Sequence, residues 1–317
     1  MKAKRKIGSS GIEVAPLALG GNVFGWTADE KASFAILDRF LELGFDLVDT
    51  ANTYSTWVPG HAGGESEAII GRWLAQGGRR ERVVLATKVG MEMGGEKGLA
   101  RSQVEKHVEG SLRRLRTDRI DLYQTHKDDP GTPVEETLEA LDRLVKAGKV
   151  RAIGASQYQP GRLRESLEAS RRLGIAGYQT LQPEFNLHDR HAFERDLQPI
   201  AQEHGLAVIP FFGLAKGFLS GKYRKLEDIR GRPRESGLKR YFEGERGMRI
   251  LAALDRVCAR VRATPAQVSL AWSMAQPTIA APIVSATSVA QLDELMGAAR
   301  LKLAAADLAE LDRASAD

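Results

Sequence analysis

The sequence predicts an α/β protein, a (β/α)8 barrel of the TIM type, with residues 1–317 forming a single barrel domain. Three observations predict it. Short apolar runs alternate with amphipathic helical patterns, and eight such pairs follow one another. The connections are short, which favours parallel strands joined by right-handed crossovers. No Gly-x-Gly-x-x-Gly follows the first strand, which argues against the runner-up, an open doubly wound sheet. Gly20-Gly21-Asn22-Val23-Phe24-Gly25 has the wrong spacing and no helix directly after it.

Before the repeat, Lys6 to Val14 reads as a small hairpin with Gly8 to Gly11 as its turn. Pro16 to Gly20 is then the first strand, and Asp29 to Leu43 the first helix, with Phe34, Leu37, Phe40 and Leu41 on one face. Leu47 to Asp49 is the second strand, with a helix from about Ser66 to Gln76. Val83 to Lys88 is the third, followed by a helix over Arg101 to Leu115. Ile120 to Gln124 is the fourth, followed by Pro133 to Ala147, with Thr132 as N-cap and Gly148 as the stop. Val150 to Gly154 is the fifth, followed by Pro160 to Leu173, with Gly174 as its C-cap. Tyr178 to Leu181 is the sixth, with a helix near Phe193 to His204. Leu206 to Pro210 is the seventh, and Ile279 to Ile283 the eighth, followed by Val289 to Met296. Helices over Met248 to Arg262 and Pro265 to Ala275 fill an insertion between the seventh and eighth strands. A last helix spans Ala304 to Ala316. The insertion begins with Lys222 to Arg246, rich in Lys, Arg, Glu and Gly. Its simplest reading is a solvated loop; its functional reading is a strap over a bound anion.

Composition excludes several function classes. The chain is 43% hydrophobic with net charge +5, and its basic residues form no dense stripe interleaved with aromatics, so nucleic acid is not an expected partner. Cys258 is the only cysteine, which rules out an internal disulfide, and its apolar helical setting points to core packing. His188 and His191 have metal-like spacing without a third ligand, so no metal is expected. No run approaches the length of a membrane span, and a soluble, cytoplasmic protein is the default.

The chemistry gathers at strand ends. The second strand ends on Asp49, with Tyr54 five residues on; the third ends on Lys88; the fourth is followed by His126. If the strands are parallel neighbours, these side chains converge on the barrel face where such enzymes react. A tyrosine has a reference pKa near 10, and a nearby ammonium lowers it. Lys88 can be that ammonium, Asp49 can hold it, and His126 can hydrogen-bond a substrate oxygen. No nucleophile with an adjacent base is present, so a cofactor's hydride is the expected attacking species. A structural Asp–Lys pair and a Schiff-base lysine are the competing readings.

These residues lie in a wider set: Asp49-Thr50-Ala51-x-x-Tyr54, Gly64-Glu65-Ser66-Glu67, Lys88-Val89-Gly90, Ser111-Leu112-x-x-Leu115, Ile120 to His126, and Gly148-Lys149-Val150-Arg151-x-Ile153-Gly154. The whole chain resembles the aldo-keto reductase superfamily, in the style of its bacterial branch related to potassium-channel β-subunits. The resemblance implies a barrel base plugged by the hairpin. It also implies NADP(H)-dependent reduction of aldehydes or ketones, with Tyr54 as general acid and Asp49, Lys88 and His126 beside it. It further implies cofactor contacts from Gly21, Ser156, Gln157 (where the family has Asn), Gln182, Phe211 against the nicotinamide, and the Gly213-Leu214-x-x-Gly217 loop around the pyrophosphate.

Ser285, Thr287, Ser288, Gln291 and Glu294 align with the segment that holds the adenosine and its 2′-phosphate. Many members place Lys or Arg at the positions of Ser285, Thr287 or Gln291; this chain does not. NADP(H) is therefore the first expectation and NAD(H) the second. Phe24, Trp26 and Trp57 suggest a partly apolar pocket for a small carbonyl substrate. Two alternatives stand beside the reductase: an NAD-dependent sugar or alcohol dehydrogenase working oxidatively, and a cofactor-binding sensor or accessory subunit with low turnover. Oligomeric state is not readable from the sequence.

Overall fold

A run such as Leu47-Val48 makes a central strand because both of its faces can be covered by apolar neighbours. The computed structural model, which describes residues 3–232 and 234–316, turns eight such runs into a ring. The staves are β3 (Ala18–Gly20), β4 (Leu47–Asp49), β5 (Val84–Val89), β6 (Ile120–Thr125), β7 (Val150–Ser156), β8 (Thr180–Gln182), β9 (Ala207–Val208) and β10 (Ile283–Val284). All neighbours are parallel, in the order β10-β3-β4-β5-β6-β7-β8-β9. The seam between β9 and β10 closes through a parallel bridge, Val208 to Ile279, with Ala280 N donating to Val208 O at 2.7 Å. The seam strands are shorter than the sequence suggests. Pro210 and Pro282 have no N–H to give to a ladder, so pairing there breaks into single bonds.

A hairpin of β1 (Arg5–Lys6) and β2 (Glu13–Val14) closes the base. Its Ile7, Ile12 and Val14 are buried against the inward side chains Ala18, Leu47, Ala86, Leu122 and Ala152. Fully burying an aliphatic side chain of this size contributes about 1.5–3 kcal/mol. The Arg5 guanidinium fixes the plug by donating to Ile279 O and Met274 O, at 2.7 and 3.0 Å.

The helices α1 (Glu30–Glu42), α2 (Glu65–Leu74), α3 (Arg101–Leu115), α4 (Val134–Lys146), α5 (Pro160–Leu173) and α6 (Gln198–Glu203) follow β3 to β8 in turn. The long crossover from β9 to β10 holds α7 (Glu235–Leu238), α8 (Arg246–Val261) and α9 (Pro265–Ala275), while α10 (Val289–Gly297) and α11 (Ala305–Ser315) end the chain. Two helix details differ from expectation. Thr132 does not cap α4; its hydroxyl donates to Asp129 at 2.6 Å and the helix starts one residue later. The helix expected over Phe193 to His204 opens with a π turn at Phe193–Leu197. Pro199 supplies no N–H at the start of α6, which accounts for the widened turn before it. Cys258 is half-buried against the core. No helix among the described residues is long and apolar enough to cross a membrane.

Candidate active site

Register carries the chemistry to one rim. Gly20 pairs with Asp49, Lys88 with Gln124, and Ser156 with Gln182, so six strands end at nearly the same height. Asp49 ends β4, Lys88 is next to last in β5, and His126 follows β6, its N–H donating to Val89 O at 2.7 Å. The loop after β4 turns back through Ser55, at φ 79°, and brings Tyr54 over Lys88.

Lys88 is fully buried and its ammonium makes three bonds: to Asp49 Oδ2 at 2.6 Å, to Thr50 O at 2.8 Å and to the Tyr54 hydroxyl oxygen at 2.9 Å. The other Asp49 oxygen accepts from the amides of Gln124 at 3.2 Å and Gln182 at 3.1 Å. A buried ion pair survives when its remaining hydrogen-bonding capacity is met in this way. Because Lys88 donates to the Tyr54 oxygen, the phenol's own proton is directed elsewhere. The Tyr54 and His126 rings stand edge to face, with centroids 5.8 Å apart.

The electrostatics refine the sequence reading. Burial of Lys88 works against its charge, but Asp49 and then Tyr54 overcome that and raise its pKa. Tyr54 is raised above 10, not lowered: burial outweighs the opposing pull of Lys88. The phenol is therefore protonated at neutral pH. His126 is held well below 6.5 by burial and then by Lys88, so the imidazole is neutral, and its Nδ1 is buried without a partner among the described residues.

Above this floor lies a cleft of about 770 Å³. It is lined by Asp49, Tyr54 and His126 at one end, then by Ser156, Gln157, Gln182 and Phe211, then by Gly213, Leu214 and Gly217, and finally by Ser285, Thr287, Gln291 and Glu294. Most of the residues expected at a cofactor thus share one cavity, but several are already engaged. Gln182 gives its amide to Asp49 and to Gln124. Gln157 sits at φ 54° and donates to His126 O at 3.1 Å, so its longer amide braces the histidine. Ser156 donates to Gln182 O at 2.9 Å, which leaves its hydroxyl oxygen able to accept.

Three expected residues lie elsewhere. Ser288 does not line the cleft: it is the N-cap of α10, its hydroxyl accepting from Gln291 N at 3.2 Å. Gly21 is buried below the rim, where its carbonyl accepts from Ser66 Oγ at 2.8 Å and a Cβ would meet that same oxygen. Phe24 is fully buried in the core, whereas Trp26 and Trp57 do reach the cleft.

The sequence reading did not name two groups as site residues, although it offered Lys222 to Arg246 as a possible strap over an anion. Gln124 lies two residues before His126, hence on the same strand face, and that spacing was the available signal. The second group is cationic. Lys216, Lys222, Arg232 and Arg234 all line the cleft, so the charged stretch Lys222 to Arg246 contributes a wall and is not merely solvated; Pro233, within it, lies outside the described residues. Arg234 packs over the Trp26 ring at 5.8 Å and has no acidic partner among the described residues; burial lowers its pKa. The stretch is anchored by Arg240, which donates to Glu184 at 2.5 Å and Asp189 at 3.0 Å, and by Tyr241, whose hydroxyl donates to Asp189 at 2.9 Å. Although burial opposes it, bonds from His188, Asn186 and Tyr241, with Arg240 alongside, hold Asp189 down at about 2. His188 belongs to this anchor, through Asp189 and the Tyr241 ring.

The chain is also similar to known proteins over nearly its whole length. The family model described as Aldo/keto reductase family matches residues 16–316. An uncharacterised oxidoreductase of Bacillus subtilis, YrpG, is 36% identical, over 94% of this chain and 91% of that protein. A probable voltage-gated potassium channel subunit beta of Arabidopsis thaliana is 30% identical, over 93% of this chain and 90% of its own. An aldo-keto reductase of Schizosaccharomyces pombe, named with NADP(+), is 29% identical, over 98% of this chain and 90% of its own.

Proposed function

The chain belongs to the aldo/keto reductase family, and from that premise we propose that it reduces aldehyde or ketone carbonyls to alcohols with NADPH, Tyr54 serving as general acid. The observation that carries this reading is the Lys88 ammonium held between Asp49 and Tyr54 at the floor of the cleft. The cleft also suits a dinucleotide in size and lining. Phe211 offers a π face, and the Gly213 to Gly217 loop passes through Ala215, Lys216 and Gly217 with successive positive φ, a backbone arrangement that suits an anion. Bound there, the cofactor supplies the hydride.

The chain's own residues do the rest. The neutral His126 offers a ring N–H to the carbonyl oxygen without adding charge. As negative charge develops on that oxygen, Tyr54 releases its proton to it, because an alkoxide is a stronger base than a phenolate. The Lys88 ammonium, 2.9 Å away, stabilises the phenolate left behind. Asp49 keeps Lys88 charged and aimed, and Gln124 and Gln182 keep Asp49 aimed. The cationic side chains Lys222 and Arg232 take the part that Lys or Arg at 285, 287 and 291 plays in other members, favouring the extra phosphate of NADPH. The small-molecule carbonyl is the partner; no membrane or nucleic-acid role follows from this site.

The test is consumption of NADPH by the purified protein with a panel of simple aldehydes and ketones. Steady turnover supports the reductase. Tight NADPH binding with no turnover on any carbonyl would favour the accessory-subunit role, which the channel-subunit relative brings into view.

A further inference from the structure

A histidine that works on a substrate is commonly oriented by a hydrogen bond to the ring nitrogen facing away from it. His126 lacks that bond: its Nδ1 is buried without a partner among the described residues. The ring is placed through its backbone instead. The His126 N–H donates to Val89 O at 2.7 Å, and the His126 carbonyl accepts from the Gln157 side-chain amide at 3.1 Å. The first bond continues the pairing of β5 with β6. The second comes from the turn after β7, and among the described residues it is the one side-chain hydrogen bond to His126.

That turn is built to hold the amide there. Gln157 sits at φ 54°, a left-handed conformation that Asn or Gly adopts more easily than a longer side chain does. Backbone strain at the rim of a site points to a role for the residue that bears it. Its neighbours are tied down on both sides. Ser156 Oγ donates to Gln182 O at 2.9 Å, and the buried hydroxyls of Tyr158 and Tyr178 share a hydrogen bond at 2.9 Å. Arg162, in the first turn of α5, donates to Thr132 O at 3.0 Å and to Asp129 O at 3.3 Å, in the loop after β6. The exit of β7 is thus clamped to the exit of β6, and Gln157 is the part of the clamp that reaches His126. An Asn in its place, shorter by one carbon–carbon bond of about 1.5 Å, does not span this contact.

We propose that Gln157 is the positioning residue for His126: by holding the His126 carbonyl it sets the imidazole against Tyr54 and the substrate oxygen, and gripping the nicotinamide carboxamide is not its main role. The proposal rests on the reductase reading above. It moves position 157 from the cofactor to the support of the proton-transfer pair. The Tyr54 and His126 rings lie 5.8 Å apart, centroid to centroid, and a carbonyl oxygen must meet both. A displacement of about 1 Å in such an arrangement can cost about 10²-fold in rate.

The experiment has two arms, each run on the wild type, Gln157→Asn and Gln157→Met. Asn suits a left-handed backbone, so Gln157→Asn is expected to fold. In the first arm, proton–nitrogen NMR of histidine-labelled protein without cofactor follows the ring resonances. Of the six histidines, His126 alone should shift in both variants. The second arm measures kcat, KM and the NADPH Kd, with His126→Ala and its double variant with Gln157→Asn added. Both single Gln157 variants should lose about tenfold or more in kcat, with the NADPH Kd within about twofold of the wild type. In the His126→Ala background the second substitution should change kcat by less than about twofold, because the residue it acts through is gone. An unmoved His126 resonance overturns the proposal. So does a Kd about tenfold weaker with kcat unchanged, which makes Gln157 a grip on the cofactor, and so does an undiminished effect on kcat in the His126→Ala background. No turnover of any carbonyl by the wild type, with NADPH bound, overturns the reductase reading and the catalytic part of this proposal; the resonance shift then still decides whether Gln157 holds His126.

Discussion

The two ends of the cleft are built differently. At the catalytic end, Asp49 and Lys88 project from neighbouring strands, are fully buried, and have their hydrogen bonds filled by Thr50, Tyr54, Gln124 and Gln182. At the far end the lining comes from loops: Phe212, Ala215 and Lys216 at positive φ, and long Lys and Arg side chains that reach in from the insertion. The first end holds geometry and the second holds charge. On the proposed reading this division is physical: proton transfer depends on tenths of an ångström, which strands can hold, whereas attraction of a phosphate tolerates the freedom of loops.

Breaking the rigid end should have the largest effect. Tyr54→Phe removes the general acid while leaving the buried ion pair in place, and turnover should fall by about 10²–10⁴-fold with NADPH binding retained. Steady-state kinetics beside a binding titration would show both. Lys88→Met should damage stability as well as activity. It leaves Asp49 buried without its cation, a loss of about 3–5 kcal/mol by denaturant unfolding. Near-native stability in that variant would mean that Asp49 is not held as the geometry indicates.

The same end should also respond to pH. His126 is kept neutral far below its ordinary value, so the unfolded chain binds a proton there that the folded one refuses. Stability is therefore intact above pH ~6.5 and falls as the pH drops below it, by about 1.4 kcal/mol per unit for this group. His126→Asn should flatten that slope, as read from unfolding at a series of pH values. The smallest expected effect is on the loop end. Arg240 is an exposed residue on the anchor to Glu184 and Asp189. Arg240→Ala should cost about 0–1 kcal/mol of stability and raise the NADPH off-rate a few-fold, with kcat little changed.

The same contrast explains what could be read from the sequence. The strand-ending residues were legible because period and position fix them: a short apolar run, then Asp49, Lys88 or His126 at its end. The hairpin was legible from its glycines and flanking apolar pairs. Phe24 was misplaced because a loop aromatic has no period to show which way it turns, and the structure turns it into the core. Ser288 looked like an anion ligand at a helix start, but its hydroxyl caps that helix. The net effect on Tyr54 was not legible either. The sequence names Lys88 as its neighbour, but only the structure shows that burial outweighs the pull of Lys88 on the phenol. The cationic wall was legible only as the second reading of its stretch, a strap over a bound anion: Lys222, Arg232 and Arg234 belong to a stretch whose composition is that of a solvated loop, and the long-range packing that turns it inward leaves no local pattern.

The central claim is that this cleft holds NADP(H), with the insertion supplying the charge missing from residues 285 to 291. Fluorescence titration of the purified protein with NADPH and NADH, for the wild type and for Lys222→Met and Arg232→Met, tests it most directly. The account predicts tighter binding of NADPH in the wild type, and a gap between the two cofactors that shrinks by about tenfold when either cation is removed. Equal affinity for both cofactors in the wild type, or an NADH preference, would contradict it and make the oxidative dehydrogenase the better description.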